Sequence, residues 1–167
     1  MSRPILRAAT QDDLDRVVET FLACWRVSYA SVLPPQLVAR MTMESATALW
    51  TRVLGEAAPG EVLVADDAGA ILGITRFGLS GGKGWVHSLY VSPDAQGRGI
   101  GRALLAAAEH ELVRRGAPFA SLWVFSDNAP SVAFYEARGW RQNGLARTET
   151  EFGEPEIGMT KSLGIGV

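Results

Sequence analysis

A single α+β domain, built on one mixed and mostly antiparallel sheet, is predicted by three observations on the sequence. The middle of the chain changes to a strand-like period, with short apolar runs separated by Asp-Asp-Ala-Gly and Ser-Gly-Gly-Lys-Gly turns. Long segments on either side carry apolar residues at helical spacing. No repeat, low-complexity tract or Pro/Gly-rich linker divides the 167 residues. At a soft prior of roughly 150 residues per domain, that length makes about one domain, 1–167. The elements sum to about seven strands and about four helices.

Residues 5–9 form the first predicted strand. Thr10 follows, with Asp13 three residues on, a capping-box-like start that sets acidic residues in the first helical turn. Leu14, Val17, Val18, Phe21, Leu22 and Trp25 then recur at helical spacing. A second helical segment is predicted over 35–54 and is ended by Pro59-Gly60. Strands over 61–66, 71–79 and 85–91 make an antiparallel meander. In the third of these, alternation sets Trp85, His87, Leu89 and Val91 on one face, with Val86, Ser88 and Tyr90 on the other. Ile100, Leu104, Leu105, Ala108 and Leu112 form the apolar stripe of the next helix, stopped by Gly116 and Pro118. The apolar run 121–125 reads as a strand buried on both faces. Asn128 and Pro130 start a last helix that ends at Gly139, and two closing strands are expected over 140–151 and 156–162.

The composition narrows the function classes. Sixteen Lys and Arg against eighteen Asp and Glu give a net charge of −2, which argues against nucleic-acid binding through bulk positive charge. One cysteine makes no internal disulfide, so nothing demands an oxidising compartment. Arg3, Pro4 and Arg7 interrupt the first ten residues, where no signal-peptide core is expected. The apolar run 103–108 is far shorter than the roughly 18 residues of a membrane span. With His87 and His110 the only histidines, no metal site is expected. A chain of the cytoplasm, free of membrane and nucleic acid, is the expectation.

Gln96-Gly97-Arg98-Gly99-Ile100-Gly101-Arg102 lies between a strand and a helix. Glycines there let backbone approach a ligand, and the first amides of the helix lack intrahelical partners. Such a turn is an anion site suited to phosphate or pyrophosphate, to which Arg98 and Arg102 add charge. A Walker A loop needs Gly-Lys-Ser/Thr, which is absent, and the dinucleotide fingerprint G-x-G-x-x-G fails at Arg102. The pattern Q/R-x-x-G-x-G/A is met by Gln96, Gly99 and Gly101. Gly78-Leu79-Ser80-Gly81-Gly82 spells G-x-S-x-G, yet a strand follows it where a nucleophile elbow needs a helix. Cys24, beside Trp25 on a helix, reads as a small buried hydrophobe.

Three blocks together resemble the GNAT superfamily of acyl-CoA-dependent N-acetyltransferases: Leu89-Tyr90-Val91-Ser92-Pro93-Asp94, the 96–101 turn, and Asn128 followed by Phe134-Tyr135-Glu136 and Gly139-Trp140. The likeness in spacing covers about 61 to the C-terminus, with Trp140 where the family usually has Phe. It implies a GNAT-like fold and transfer of an acetyl group from acetyl-CoA to a primary amine, by direct attack in a ternary complex that releases CoA. It assigns the coenzyme to Leu89, Tyr90, Val91, the 96–102 turn (Gln96, Gly97, Arg98, Gly99, Ile100, Gly101, Arg102) and Asn128. Tyr135 is then the general acid for the leaving thiolate. His87 is the looser candidate for the base, with Glu149, Glu151 and Glu156 as alternatives that otherwise read as a solvated hairpin. Trp25 and Tyr29 are candidates for the wall of the acceptor pocket. A homodimer is a further expectation. A non-catalytic acyl-CoA-binding or sensor module on the same fold is the alternative.

Overall fold

A computed structural model describes residues 2–164, so Met1 and 165–167 of the expected domain lie outside the described residues. The strands are β1 (Ile5–Ala8), β2 (Val62–Asp67), β3 (Ala70–Ser80), β4 (Lys83–Val91), β5 (Phe119–Phe125), β6 (Arg141–Thr148) and β7 (Pro155–Ser162). They form one sheet in the order β1-β2-β3-β4-β5-β7-β6. Every neighbouring pair is antiparallel except β4 and β5, which are parallel. The predicted α+β class and its mixed, mostly antiparallel sheet are therefore found.

The helices are α1 (Leu14–Ala23), α2 (Pro35–Arg40), α3 (Met43–Glu56), α4 (Ile100–Arg114) and α5 (Ala129–Glu136). One face of the sheet is covered by α1 to α3. There Val17, Phe21, Leu22, Trp25 and Trp50 bury against Val62, Val64, Ile71 and Ile74. On the other face, Leu104, Leu105, Ala108 and Leu112 of α4 are fully buried, with Phe77, Val86, Leu122 and Trp140 completing that core. The alternation of β3 between these two cores, at Ile74 and Phe77, is what makes the fold a three-layer sandwich.

Three expectations are corrected. The helix predicted over 35–54 is two helices, giving five α-helices among the described residues. Met41 is extended, and Thr42 caps α3: its hydroxyl accepts the Ser45 N–H at 3.1 Å while Ser45 Oγ accepts the Thr42 N–H at 2.8 Å. Such a cap is worth about 1 kcal/mol, enough to start a new helix where Met41 must turn into the core. Next, Trp85, His87, Leu89 and Val91 do not share a face. The β3–β4 register jumps between Arg76/Phe77, so that Ser88 pairs with Arg76 and Val86 with Phe77, leaving His87 as an extra residue in β4. Leu89 and Val91 thus join Val86 on the α4 side, and Tyr90 faces α1 and α3. Finally, β5 is buried on one face only. Ala120, Leu122 and Val124 are covered, while Ser121, Trp123 and Phe125 are half-buried beneath a cavity that α1 to α3 do not fill.

The start of α1 is fixed by charge. Asp13 is 1 % exposed and accepts from Arg7 at both oxygens (2.8 Å each), from the Thr10 N–H at 2.8 Å and from Arg16 at 2.5 Å. Arg7 also reaches Asp66 at 2.9 Å, so this one carboxylate ties β1, β2 and α1 together. The Arg7 guanidinium holds the Asp13 carboxyl down at about 2, below its ordinary 3.8, against the opposing effect of burial. Its stabilisation is therefore complete above about pH 4 and fades as the pH falls towards 2. Asp13→Ala should lower stability at pH 7 by about 2 kcal/mol, allowing for the partly exposed arginines, as read from the urea midpoint. The deficit relative to wild type should shrink below pH 3.

Candidate functional site

β4 and β5 hydrogen-bond only at Gly84↔Ala120 and Trp85↔Ser121 and then diverge. The Ser92 N–H donates to Leu72 O on β3 at 2.8 Å, so by alternation Tyr90 and Ser88 also point their backbone groups at β3. The amides and carbonyls of Leu89 and Val91 face the gap. The Val91 carbonyl is taken by side chains: Cys24 Sγ–H donates at 3.0 Å and Gln96 Nε2–H at 3.1 Å. Cys24 is buried as expected, and burial pushes its thiol up to about 12, but it also lines the groove.

A groove of about 710 Å³ runs from this gap to the mouth of α4. Gly99, at the N-cap of α4, has φ 76°, and Gly97 has φ 79°, both in the left-handed region that favours glycine. A Cβ built at Gly99 meets nothing within 4 Å, so the space over the turn is open. The first intrahelical bond from the cap runs from Ala103 N–H to Gly99 O, and no side chain caps the helix. The amides of Ile100, Gly101 and Arg102 are thus presented at the positive end of α4.

Of the predicted coenzyme residues, Leu89, Tyr90, Val91, Gln96, Gly97, Gly99, Ile100, Gly101, Arg102 and Asn128 all line this groove. Arg98 does not: its guanidinium turns to Asp67 at 3.6 Å and the Ser2 carbonyl at 3.5 Å. The second cation on the groove is Arg138, which lies over the Phe134 ring at 3.8 Å and donates to Phe134 O at 2.8 Å. Its Nε is buried with no partner among the described residues. Sequence reasoning missed Arg138, although it sits inside the Phe134–Trp140 block that carried the resemblance.

On the far side of the gap lies a second cavity of about 290 Å³. Tyr29, Leu89, Tyr90, Asn128, Ser131 and Tyr135 border both spaces, so the two meet through the sheet. All three tyrosines of the chain stand at this junction. Tyr135 is held by edge-on contacts to Phe134 and Trp140, with ring centres 5.3 Å and 5.9 Å away. It is 8 % exposed, and its hydroxyl has no hydrogen-bond partner among the described residues. Burial raises the phenol pKa, as it does for Tyr29 and Tyr90, so these groups hold their protons at neutral pH. Asn128 caps α5 by accepting the Ser131 N–H at 3.3 Å and borders both spaces.

Trp25 and Tyr29 line the second cavity, packed edge to face at 5.2 Å. His87 lines it too, from the bulge of β4, its ring stacked parallel to Trp85 at 6.4 Å. His87 is exposed at the cavity rim, and partial desolvation there, and then Arg76, hold the imidazole below its ordinary 6.5, while Glu61 acts the other way. Glu149, Glu151 and Glu156 all border the cavity. Glu156 is not the solvated hairpin residue expected: it is 7 % exposed on β7 and accepts from Arg147 Nε at 2.8 Å.

Residues 15–140 match the acetyltransferase (GNAT) family, and the chain belongs to it. Among curated relatives, it is 25% identical to the uncharacterized N-acetyltransferase YuaI of Bacillus subtilis, over 95% of this chain and 96% of that protein. It is 40% identical over 78 residues to acetyltransferase SG1711 of Sodalis glossinidius, but this covers only 47% of the chain and 55% of the relative. Among solved structures, the PaiA N-acetyltransferase of Thermoplasma acidophilum in complex with coenzyme A superposes with a TM-score of 0.75 at 20% identity, over 97% of this chain and 99% of that one. At these identities the structural likeness speaks for the fold.

Proposed function

We propose that the chain is an acetyl-CoA-dependent N-acetyltransferase that passes the acyl group to a primary amine by direct attack within a ternary complex. The observation that carries this reading is the meeting of groove and cavity at the β4–β5 gap, with the unengaged Tyr135 phenol at the junction. Family membership, and a neighbour solved with coenzyme A, support the choice of coenzyme. The groove residues suit that ligand: free amides at the α4 mouth for a diphosphate, with Arg102 and Arg138 beside them, and strand-like backbone at Leu89 and Val91 for an amide-bearing arm.

In the reaction, the amine nitrogen attacks the thioester carbonyl carbon, and backbone N–H groups in the gap stabilise the developing oxyanion. The C–S bond then breaks. As it does, Tyr135 gives its proton to the departing sulfur and regains one, through water, from the nitrogen that has added; an amine that arrives as a cation first yields its extra proton to His87, directly or through water, and from there to solvent. An imidazole kept below its usual pKa is neutral at pH 7 and thus able to accept it. Among the described residues no helix is long and apolar enough to cross a membrane. Location in the cytoplasm, which rests on the composition, and assembly as a homodimer, which rests on the family resemblance, belong to the same reading.

Gly99→Glu should abolish coenzyme binding in calorimetry while circular dichroism stays unchanged, because bulk and negative charge then occupy the helix mouth. Tyr135→Phe should lower kcat by about 10²-fold with coenzyme affinity within about twofold of wild type. Coenzyme binding without thiol release for any amine, in the wild-type protein, would instead favour the non-catalytic binding module. With a saturating acceptor, the acid limb of the kcat profile should have its midpoint below pH 6.5 and should vanish in His87→Gln. A limb at or above 6.5, unchanged by the substitution, would remove His87 from the base role.

A further inference from the structure

The acceptor cavity has a chemistry of its own. Trp25, Tyr29, Trp123, Phe125 and Phe152 line it, and its charged border consists of Glu149, Glu151 and Glu156, with no Lys or Arg among the lining residues. Arg147 offsets Glu156, reaching it at 2.8 Å while lying over the Trp123 ring at 4.4 Å. Neither Glu149 nor Glu151 forms a salt bridge among the described residues. Both Glu149 oxygens are used in shaping the turn: they accept the Glu151 and Phe152 N–H groups at 2.7 Å each. The exposed Glu151 carboxylate is left without an ion pair at the mouth, Arg40 engaging that residue's backbone carbonyl and not its carboxylate.

This turn also limits the size of what enters. Phe152 packs on Trp25 with ring centres 5.3 Å apart, and Arg40 lies over Phe152 at 5.7 Å and donates to Glu151 O at 3.4 Å. The β6–β7 turn is thereby strapped across to the π-helical turn that follows α1 (Cys24–Ser28) and to α2, closing that side of the cavity mouth. At about 290 Å³ the cavity is at the small end of ligand pockets. Aromatic faces beside carboxylates favour a cation with an apolar body and repel an anion.

We infer that the acceptor is a small cationic amine with an apolar, ring-sized body and no carboxylate of its own, drawn in by Glu151 and packed among Trp25, Tyr29 and Phe152. This rests on the acetyltransferase reading and narrows it to a substrate class. Free amino acids are disfavoured by their carboxylate, and peptide N-termini by the strap.

The test is thiol release from acetyl-CoA with three probes: phenethylamine, L-phenylalanine and an alanine-initiated tripeptide. Phenethylamine should exceed phenylalanine in kcat/KM by about tenfold or more, with no release for the tripeptide. Glu151→Gln should bring the first ratio down to about threefold, by raising KM for phenethylamine, while coenzyme binding is kept. Phenylalanine or the tripeptide turned over as well as phenethylamine would overturn the inference and leave the acetyltransferase intact. So would a ratio unmoved by Glu151→Gln. Thiol release with polyamine or aminoglycoside acceptors but with none of the three probes would also overturn the inference; failure of the enzymatic reading looks different, with acetyl-CoA bound and no thiol released by the probes or by that wider amine panel.

Discussion

Parallel strands β4 and β5 share only two residue pairs before they part, and the position of that parting determines what the rest of the molecule can do. A glycine at residue 84 lets the two strands come this close without strain. A Cβ there would sit 3.0 Å from the Phe119 carbonyl and 3.2 Å from a Leu112 methyl, so β5 would have to give by a few tenths of an ångström to admit one. Three residues later the bulge at His87 bends and twists β4 just where β5 leaves it. On the far side, β5 is held by full antiparallel pairing with β7 from Phe119 to Phe125. One strand is turned and its neighbour is held straight, and a gap follows.

Backbone groups exposed in such a gap are expensive to leave buried without partners. Part of that demand is met internally, since Cys24 and Gln96 both donate to the Val91 carbonyl. This explains why a helix residue, Cys24, matters to the sheet: its thiol, kept protonated by burial, donates a hydrogen bond that no aliphatic side chain of similar size can supply. The remaining groups, with the α4 amides, face an open groove rather than protein. Two features that each carry a cost, an open strand edge and an uncapped helix mouth, are thus brought to one place where a ligand satisfies both.

The coenzyme side of this arrangement was readable in the sequence because it is made of backbone, and backbone geometry leaves its mark as glycine, proline and capping residues at fixed spacing. The Gln96–Gly101 turn and the Asn128 cap fall where expected for that reason. The face assignment in β4 was not readable, since a bulge adds one residue without any compositional sign: His87 is neither glycine nor a turn former. The break at Met41 did have a signal in Thr42 and Ser45, but a Thr-x-x-Ser cap is weaker than Thr-x-x-Glu and was hidden inside an apolar helical run. Arg98 illustrates a different limit. Proximity to the turn suggested a phosphate ligand, whereas the side chain is taken by Asp67 from a strand thirty-one positions earlier.

The second cavity, proposed to take the acceptor, is built in the opposite way, from side chains that converge out of segments distant in the chain. Trp25 and Tyr29 come from the end of α1 and the irregular turns after it, Phe125 from β5, and Phe152 with Glu149 and Glu151 from the β6–β7 turn. Each alone looks like ordinary core or ordinary solvated loop, and only the fold gives them a shared meaning. Glu156 makes the point best: in the sequence it is one of several acids near the C-terminus, yet in the sheet it lies opposite Phe125, beside the gap and under Arg147. A backbone-defined half can keep the same ligand while a side-chain-defined half changes its partner by single substitutions. That asymmetry follows from the physics of the two surfaces, and it is why the glycine-lined groove was legible from 167 letters while the second cavity took shape only in the fold.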